Sequence, residues 1–470
     1  LQSDVMMELT RCKISVDRLT LRQLDGFLSV LPFGYNHFGS QYERVLPASS
    51  VANLYPFNYS GKTDPHGFYL GRDKFGTNIL TDFDRRSDDK TNANVLILGN
   101  SGQGKSHLLK GILANLRESG KSLIVLDPEQ EYQELCENLG GCYLDYLSGE
   151  YVINPLQPQN WDEDPVNEDD ERTPEQRDAA PMSRSSIGES GNLAPTPKPP
   201  VVPVPGPFQK TTMLSRHISY LKDFFRSYKD FTTAQLDTIE LMLQKLYRRF
   251  DMDDYTDFSQ VAPDKFPTMS DFYDLLEEEF DLYDPKRKNL FSEETIQEVC
   301  LGLHSMCKGA ESKYFNGHTN IKDDKFLVFG VKGIMELNRS LRDALLFSIL
   351  SYMTNALLGA GNYVGALDEL YLFLTNLTAI EYIRNLMKRD RKKDSLLVLA
   401  SQNIEDFLQP GVRELTKPLF SIPTHQFLFN PGQLEPKAFC DTLQLEQAEF
   451  ELIRYPERGT CLYRCGNERY

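Results

Sequence analysis

Long apolar runs are missing from this chain. Its most apolar stretch, residues 344–358, is broken by Ser348, Ser351, Thr354 and Asn355. Those breaks make it too short and too polar to cross a bilayer and predict a buried helix instead. No signal-peptide pattern opens the chain, which starts at Leu1 rather than Met, so a fragment of a longer protein is expected. Paired cysteine spacings are missing too. The eight cysteines are scattered, and Cys461 and Cys465 lack a second Cys or His pair to complete a zinc site; free thiols in a reducing compartment are the expectation. Positive charge is scarce: 51 Lys and Arg face 68 Asp and Glu, a formal charge of −17. That balance repels polyanions at long range and leaves only a local basic stripe for nucleic-acid contact.

What is present suffices for a large core. The chain has 470 residues, 40% hydrophobic and 25% charged, which predicts a main globular core with at least one further module. Residues 1–66 read as a lead-in, the end of a preceding domain, with one periodic run at 19–31. Residues 68–83 read as two short strands around the turn Asp73-Lys74-Phe75-Gly76. From Asn94 the order becomes strand (95–98), glycine-rich loop, helix (105–118) and strand (123–126), the opening of an α/β sheet spanning 67–156. Residues 157–210 turn acidic and proline-rich, with Pro195, Pro197, Pro199, Pro200, Pro203, Pro205 and Pro207 close together. Such a stretch buries too little apolar surface to offset its chain entropy and is expected to be a linker.

Residues 211–320 have helical periodicity throughout. Leu236, Ile239, Leu243, Leu246, Tyr247 and Phe250 share one face behind a capping box at Thr232-Thr233-Ala234-Gln235. Ile296, Val299, Cys300, Leu303, Met306 and Cys307 repeat the pattern behind a Ser292 cap, with Gly309 past the end. An all-helical insertion is predicted. The α/β alternation resumes over 321–470, with strands at 326–329, 363–367 and 396–400 and helices at 341–358 and 377–388. The expected fold is an α/β, RecA-like P-loop sheet flanked by helices and split by the insertion.

Gly99, Asn100, Ser101, Gly102, Gln103, Gly104, Lys105 and Ser106 spell the G-x-x-x-x-G-K-[ST] phosphate loop (Walker A), between an apolar strand and an amphipathic helix that continues through His107. Glycines let backbone N–H groups turn toward a β-phosphate, and the helix N-terminus adds partial positive charge. Lys105 is expected on the β- and γ-phosphates of ATP and Ser106 on Mg²⁺. The strand Val364-Gly365-Ala366-Leu367 ends in Asp368 and Glu369, a Walker B pattern. Alone this is a weak signal, since many buried strands end in acids. Beside a phosphate loop, and on a strand expected to neighbour the loop's strand, Asp368 is the candidate to orient Mg²⁺ through water and Glu369 to polarise the attacking water. Glu129, in Asp127-Pro128-Glu129-Gln130-Glu131-Tyr132, suits either the water and Mg²⁺ shell or the N-terminus of the next helix. Gln402, after the strand at 396–401, suits a γ-phosphate sensor, because an amide both donates and accepts; the alternative is a plain turn residue. The basic run Arg384, Lys388, Arg389, Arg391, Lys392, Lys393 fits a solvated helix end, an arginine finger for a neighbour's nucleotide (Arg391 or Arg389), or contact with nucleic-acid phosphates.

Together these residues resemble the VirB-four ATPases of type IV secretion systems, the TraC- or TrbE-like family, and more distantly the HerA and FtsK motors. The resemblance is carried by Leu31-Pro32-Phe33-Gly34, Leu54-Tyr55-Pro56-Phe57, Gly67-Phe68-Tyr69-Leu70-Gly71, the phosphate loop and Asp127 to Tyr132. It continues through Asn154-Pro155, Leu367-Asp368-Glu369, Ala400-Ser401-Gln402 and Asp406-Phe407. It implies an ATP- and Mg²⁺-dependent motor, cytoplasmic and peripheral to the membrane through the secretion complex. It also implies self-association, commonly as hexamers, and a finger supplied by the neighbouring subunit. A DNA translocase of the HerA or FtsK kind, or a scaffold that binds nucleotide without turnover, are the competing readings; the net acidity counts against the former. The 157–210 stretch departs from a compact pattern.

Overall fold

The computed structural model describes residues 61–158, 212–286, 290–322, 324–374, 376–402, 407, 412–432, 436–455 and 458–470, together with parts of the first sixty residues, chiefly 18–32 and 34–40. Nearly all of the proline-rich stretch lies outside the described residues, as do Phe33, Leu54 to Phe57 and Asp406. The chain divides into two compact units, Leu1–Ser60 and Gly61–Tyr470. Within the first, helix α1 (Gln23–Val30) carries Arg22 and Asp25 as an ion pair across its first turn.

The second unit opens with a small three-stranded sheet. β2 (Phe68–Arg72) and β3 (Asn78–Thr81) form an antiparallel hairpin, and β1 (Lys62–Thr63) pairs parallel to β3. The hairpin turn is closed by the Asp73 carboxylate, which accepts from the backbone N–H groups of Phe75 and Thr77. β1 fell inside the expected lead-in because two residues, one of them charged, carry no period.

Nine strands form the main sheet. β4 (Val95–Leu98), β5 (Ser122–Asp127), β6 (Cys142–Asp145), β7 (Phe326–Gly330), β8 (Tyr363–Leu367), β9 (Leu396–Ser401) and β10 (His425–Leu428) run parallel, and β11 (Leu462–Cys465) and β12 (Glu468–Arg469) add an antiparallel edge. The order is β12-β11-β10-β4-β9-β8-β5-β7-β6. β4, β7 and β9 are buried along their whole length, as a parallel sheet covered on both faces requires.

Alternation along the strands divides the interior in two. Val95, Ile97, Leu123, Val125, Val398 and their neighbours pack with α2 (Lys105–Glu118), α3 (Gln133–Asn138) and the hairpin; Leu96, Leu98, Ile124, Leu126 and Leu399 face the opposite layer. That layer holds α4 (Met213–Tyr228), α5 (Thr233–Arg249), α6 (Met269–Asp281), α7 (Glu293–Cys307) and α8 (Ser312–Phe315). With them pack α9 (Arg339–Asn355), α10 (Leu377–Arg389), α11 (Arg413–Ser421), α12 (Pro436–Leu443) and α13 (Gln447–Arg454). The helices between the two runs of strands therefore share one core with the sheet. Tyr220 of α4 stacks on Phe347 of α9 at 5.6 Å between ring centroids, and Tyr382 of α10 closes on Phe347 at 5.3 Å. Thr232 caps α5 and Ser292 caps α7, each accepting a backbone N–H three residues on.

α9 is longer than its sequence suggested. With a terminal π turn it spans 22 residues, Arg339–Ala360, long and apolar enough by length and composition to cross a membrane. Arg339 and Ser340 before the expected span and Gly359 and Ala360 after it extend no apolar run. Within the fold it is an interior helix, its most apolar window 72% buried against the surrounding layers.

The strands are joined by side chains as well as by ladder bonds. Asn94, at the foot of β4, accepts from the Leu397 N–H at 2.8 Å and donates to the Met387 carbonyl at 3.0 Å, while its own carbonyl takes the His425 N–H. Nearby, Asp390 is 1% exposed, its Oδ2 without a partner among the described residues, and burial pushes its carboxyl up to about 8 despite Asn94 and Arg391. An acid whose folded pKa lies above its unfolded value costs stability as pH rises from about 4 to about 8. Asp390→Asn is therefore expected to gain about 1–3 kcal/mol at pH 8 and little at pH 4, read from thermal midpoints across that range.

Candidate active site at the carboxyl edge of the sheet

The glycine loop begins where β4 ends. Gly99 has φ +150, and a Cβ there would collide with the Phe429 side chain. The loop is tied to its neighbours on both sides: the Gly99 N–H donates to the Ser401 carbonyl and the Asn100 N–H to Asn430 at 2.8 Å. Gly104, at φ +109, is the N-cap of α2, and Leu108 makes the first intrahelical bond back to it. Helix geometry leaves the amides of Lys105, Ser106 and His107 without intrahelical acceptors, at the positive end of the helix dipole. Ser101 and Gly102 are exposed, Gln103 and Ser106 half-buried and His107 exposed. Lys105 is buried and donates to the Asn100 carbonyl at 3.0 Å. Burial lowers its pKa, opposed by the charges of Glu369, Asp368 and Glu131.

Those acids lie at the same edge. Asp368 and Glu369 follow β8 directly and are 6% and 4% exposed. Asp368 Oδ2 accepts the Tyr132 hydroxyl at 2.8 Å and Oδ1 the Glu369 N–H at 3.0 Å. Glu369 adopts a left-handed φ of +56; its Oε1 accepts from the Gln402 side-chain amide, and its Oε2 is buried without a partner among the described residues. Burial pushes Asp368 up to about 6 and Glu369 up to about 7. Glu129 is exposed, and its charge adds to the upward push on Glu369.

β8 does not neighbour the loop's strand, contrary to expectation. β9 lies between β4 and β8, pairing with both. Strand order in a parallel sheet is set by crossover packing and leaves no local trace in the sequence. The inserted strand sets Gln402 between loop and acids.

Tyr132 is the residue that sequence reasoning missed. It had been named within its motif without a role. Both Asp127 oxygens accept backbone N–H groups, from Glu131 and Tyr132 at 3.0 Å each, and Gln130 takes φ +62. The resulting turn carries the fully buried Tyr132 ring to Asp368 on another strand. A strand-end aspartate followed by an aromatic five residues later was the available signal, but its target was not. Arg389 and Arg391, by contrast, are not brought to this site. They end α10 and begin the turn into β9, at the sheet's amino edge beside Asn94.

The donor set fits magnesium. Ser106 and Asp368 offer hard oxygen ligands at one edge, and Mg²⁺ commonly takes one or two protein oxygens together with phosphates and water.

A glycine loop between β-strand and helix, with its lysine facing strand-end acids across a parallel sheet, defines a P-loop NTPase fold. The family described as the TraG P-loop domain matches residues 72–170. The structure of VirB4 of Thermoanaerobacter pseudethanolicus superposes with a TM-score of 0.70 at 28% identity, covering 87% of this chain and 96% of that one. Protein TraC of Escherichia coli K12 is 35% identical over 125 residues, 25% of this chain and 14% of TraC. An uncharacterized protein of Bacillus anthracis is 20% identical over 464 residues, 89% of this chain and 65% of its own. The chain thus spans less than two thirds of either curated relative. It is similar in fold to that VirB4 structure and, over a quarter of its length, in sequence to TraC.

Tyr132→Phe removes a hydrogen bond to a carboxylate, an interaction of about 1.5–3 kcal/mol. The expected outcome is a fall in nucleotide affinity that is larger with Mg²⁺ than without it, alongside a lowered thermal midpoint from the lost buried hydrogen bond, measured by titration at stepped Mg²⁺ concentrations.

Proposed function

We propose that the chain is the ATP-hydrolysing motor of a bacterial type IV secretion or conjugative transfer apparatus. One observation carries this reading: the buried Glu369 carboxylate, with one oxygen held by Gln402 and the other open, stands at the same sheet edge as the phosphate loop and its lysine. Unpaired amides at the start of α2 and Lys105 bind the triphosphate and offset its charge. Ser106 and Asp368 would hold Mg²⁺, which when bound neutralises charge on the β- and γ-phosphates. Tyr132 fixes the Asp368 carboxylate so that it need not reorganise. Glu369 accepts the proton of the attacking water, and Gln402 orients Glu369 while remaining in reach of the γ-phosphate side. The low water access of both acids strengthens each of these interactions.

Arg389 and Arg391 lie at the opposite edge from the chain's own loop, so in this reading an arginine finger drawn from them serves a neighbouring subunit's site. Assembly into a ring, six-membered by resemblance, belongs to this reading. So does a cytoplasmic position at the membrane beside other secretion components.

Lys105→Ala is expected to abolish phosphate release and weaken ATP binding; retained turnover in that variant would remove the mechanism. Glu369→Gln is expected to keep ATP binding while turnover falls about 10²–10⁴-fold. Because Glu369 works deprotonated and its pKa in the unliganded site is raised to about 7, kcat/KM should rise with pH through about 7 and level above it. A kcat/KM flat from pH 5.5 to 8.5 would count against Glu369 as the base.

A further inference from the structure

The phosphate loop has two flanks. β10 lies on the other side of β4 from β9 and β8, so the two acids approach the loop from one flank and the chain that feeds β11 from the other. On that second flank the Gly459 N–H donates to the Gln103 carbonyl at 2.9 Å. Gly104 and Gly459 take left-handed φ of +109 and +88, which glycine adopts without strain. The two backbones approach so closely there that a Cβ on Gly104 would stand 3.5 Å from the Gly459 Cα. Gly459 leads within three residues into β11, and the pairing of β11 with β10 and of β10 with β4 holds it at the loop.

Arg458 immediately precedes this tether. It is exposed, with no hydrogen bond or ion pair among the described residues. The arginines around it are engaged: Arg454 pairs with Glu451 at 3.1 Å, Arg464 donates to the Leu443 carbonyl at 2.6 Å, and Arg469 pairs with Glu449 at 2.7 Å. The loop, meanwhile, is short of positive charge. Lys105 feels the charges of Glu369, Asp368 and Glu131, and Glu129 adds its own to Glu369.

We infer that Arg458 is a nucleotide-binding residue whose guanidinium reaches the α- and β-phosphates from the flank opposite the two acids. The inference rests on residues 99–106 being a phosphate cradle. Asp368 and Glu369 mark the end of the triphosphate where Mg²⁺ and the γ-phosphate lie. A cation arriving from the β10 side therefore meets the α- and β-phosphates that the loop amides hold. A planar guanidinium bonds phosphate oxygens two at a time. Magnesium-bound triphosphate still carries net negative charge, and one lysine beside four carboxylates leaves that charge under-compensated. The Gly459 tether brings the Arg458 backbone to the loop in advance, so that only its side chain is ordered on binding.

Titration of the whole chain with ADP and with a non-hydrolysable ATP analogue, each with Mg²⁺ and at low and high salt, tests this. Arg458→Ala should weaken both ligands by about tenfold at low ionic strength, with the thermal midpoint of the free chain unchanged. Arg458→Glu should lose more and Arg458→Lys less. Because the arginine is exposed, the gap between wild type and Arg458→Ala should narrow as salt is raised. An ADP affinity in Arg458→Ala within about twofold of wild type at low salt would overturn the inference. So would a loss confined to the triphosphate, which would put Arg458 on the γ-phosphate instead. Lys105→Ala separates this from the reading beneath it: if that variant binds both ligands as wild type does, the cradle fails and Arg458 with it, whereas a loss there with none in Arg458→Ala removes Arg458 alone.

Discussion

Two adjacent carboxylates held nearly out of water are the constraint to which the rest of the molecule answers. Burying like charges side by side raises both their pKa values, and each oxygen needs a donor or a cation to remain ionised. Asp368 has a phenol and a backbone amide. Glu369 has one side-chain amide and an open oxygen. Lys105 supplies the nearest compensating charge, itself depressed by burial. Each of these partners comes from a different strand end, so the site exists only when β4, β5, β8 and β9 are assembled in one order.

That assembly is stabilised from both faces. Alternate residues of the same strands enter two separate interiors, one beneath α2 and the other beneath the helical layer. The helices between residues 213 and 315 are fused to the second interior through Tyr220, Phe347 and Tyr382. Leu96, Leu98, Ile124, Leu126, Leu327, Phe329, Leu397 and Leu399 of β4, β5, β7 and β9 point into it, as do Leu144, Leu367 and Leu428 of β6, β8 and β10.

The parts of this arrangement that are local were legible in the sequence. Val95–Leu98 and Lys105–Glu118 were read to the residue because an asparagine and a glycine bound the apolar run and the loop dictates where the helix starts. Tyr363–Leu367 was read equally well, as an apolar run between Asn362 and two acids. The relations between distant segments were not legible. No pattern in residues 363–402 says that β9 slides between β4 and β8, or that a tyrosine after β5 reaches Asp368. Strand β10 and the antiparallel edge made by β11 and β12 were invisible for the same reason, being short pieces that acquire meaning only in the assembled sheet. α9 was read as 341–358, two residues short at each end, because Arg339 and Ser340 before it and Gly359 and Ala360 after it extend no apolar run.

By giving one side-chain atom to β9, another to the end of α10 and its main-chain carbonyl to β10, Asn94 pins three segments at the bottom of the loop's strand. A parallel ladder has no intrinsic stop, and slippage by one residue would turn every side chain to the other face. The height at which the Gln402 amide emerges at the top, five residues beyond Leu397, is therefore measured out from below by a single carboxamide at the opposite end of the sheet.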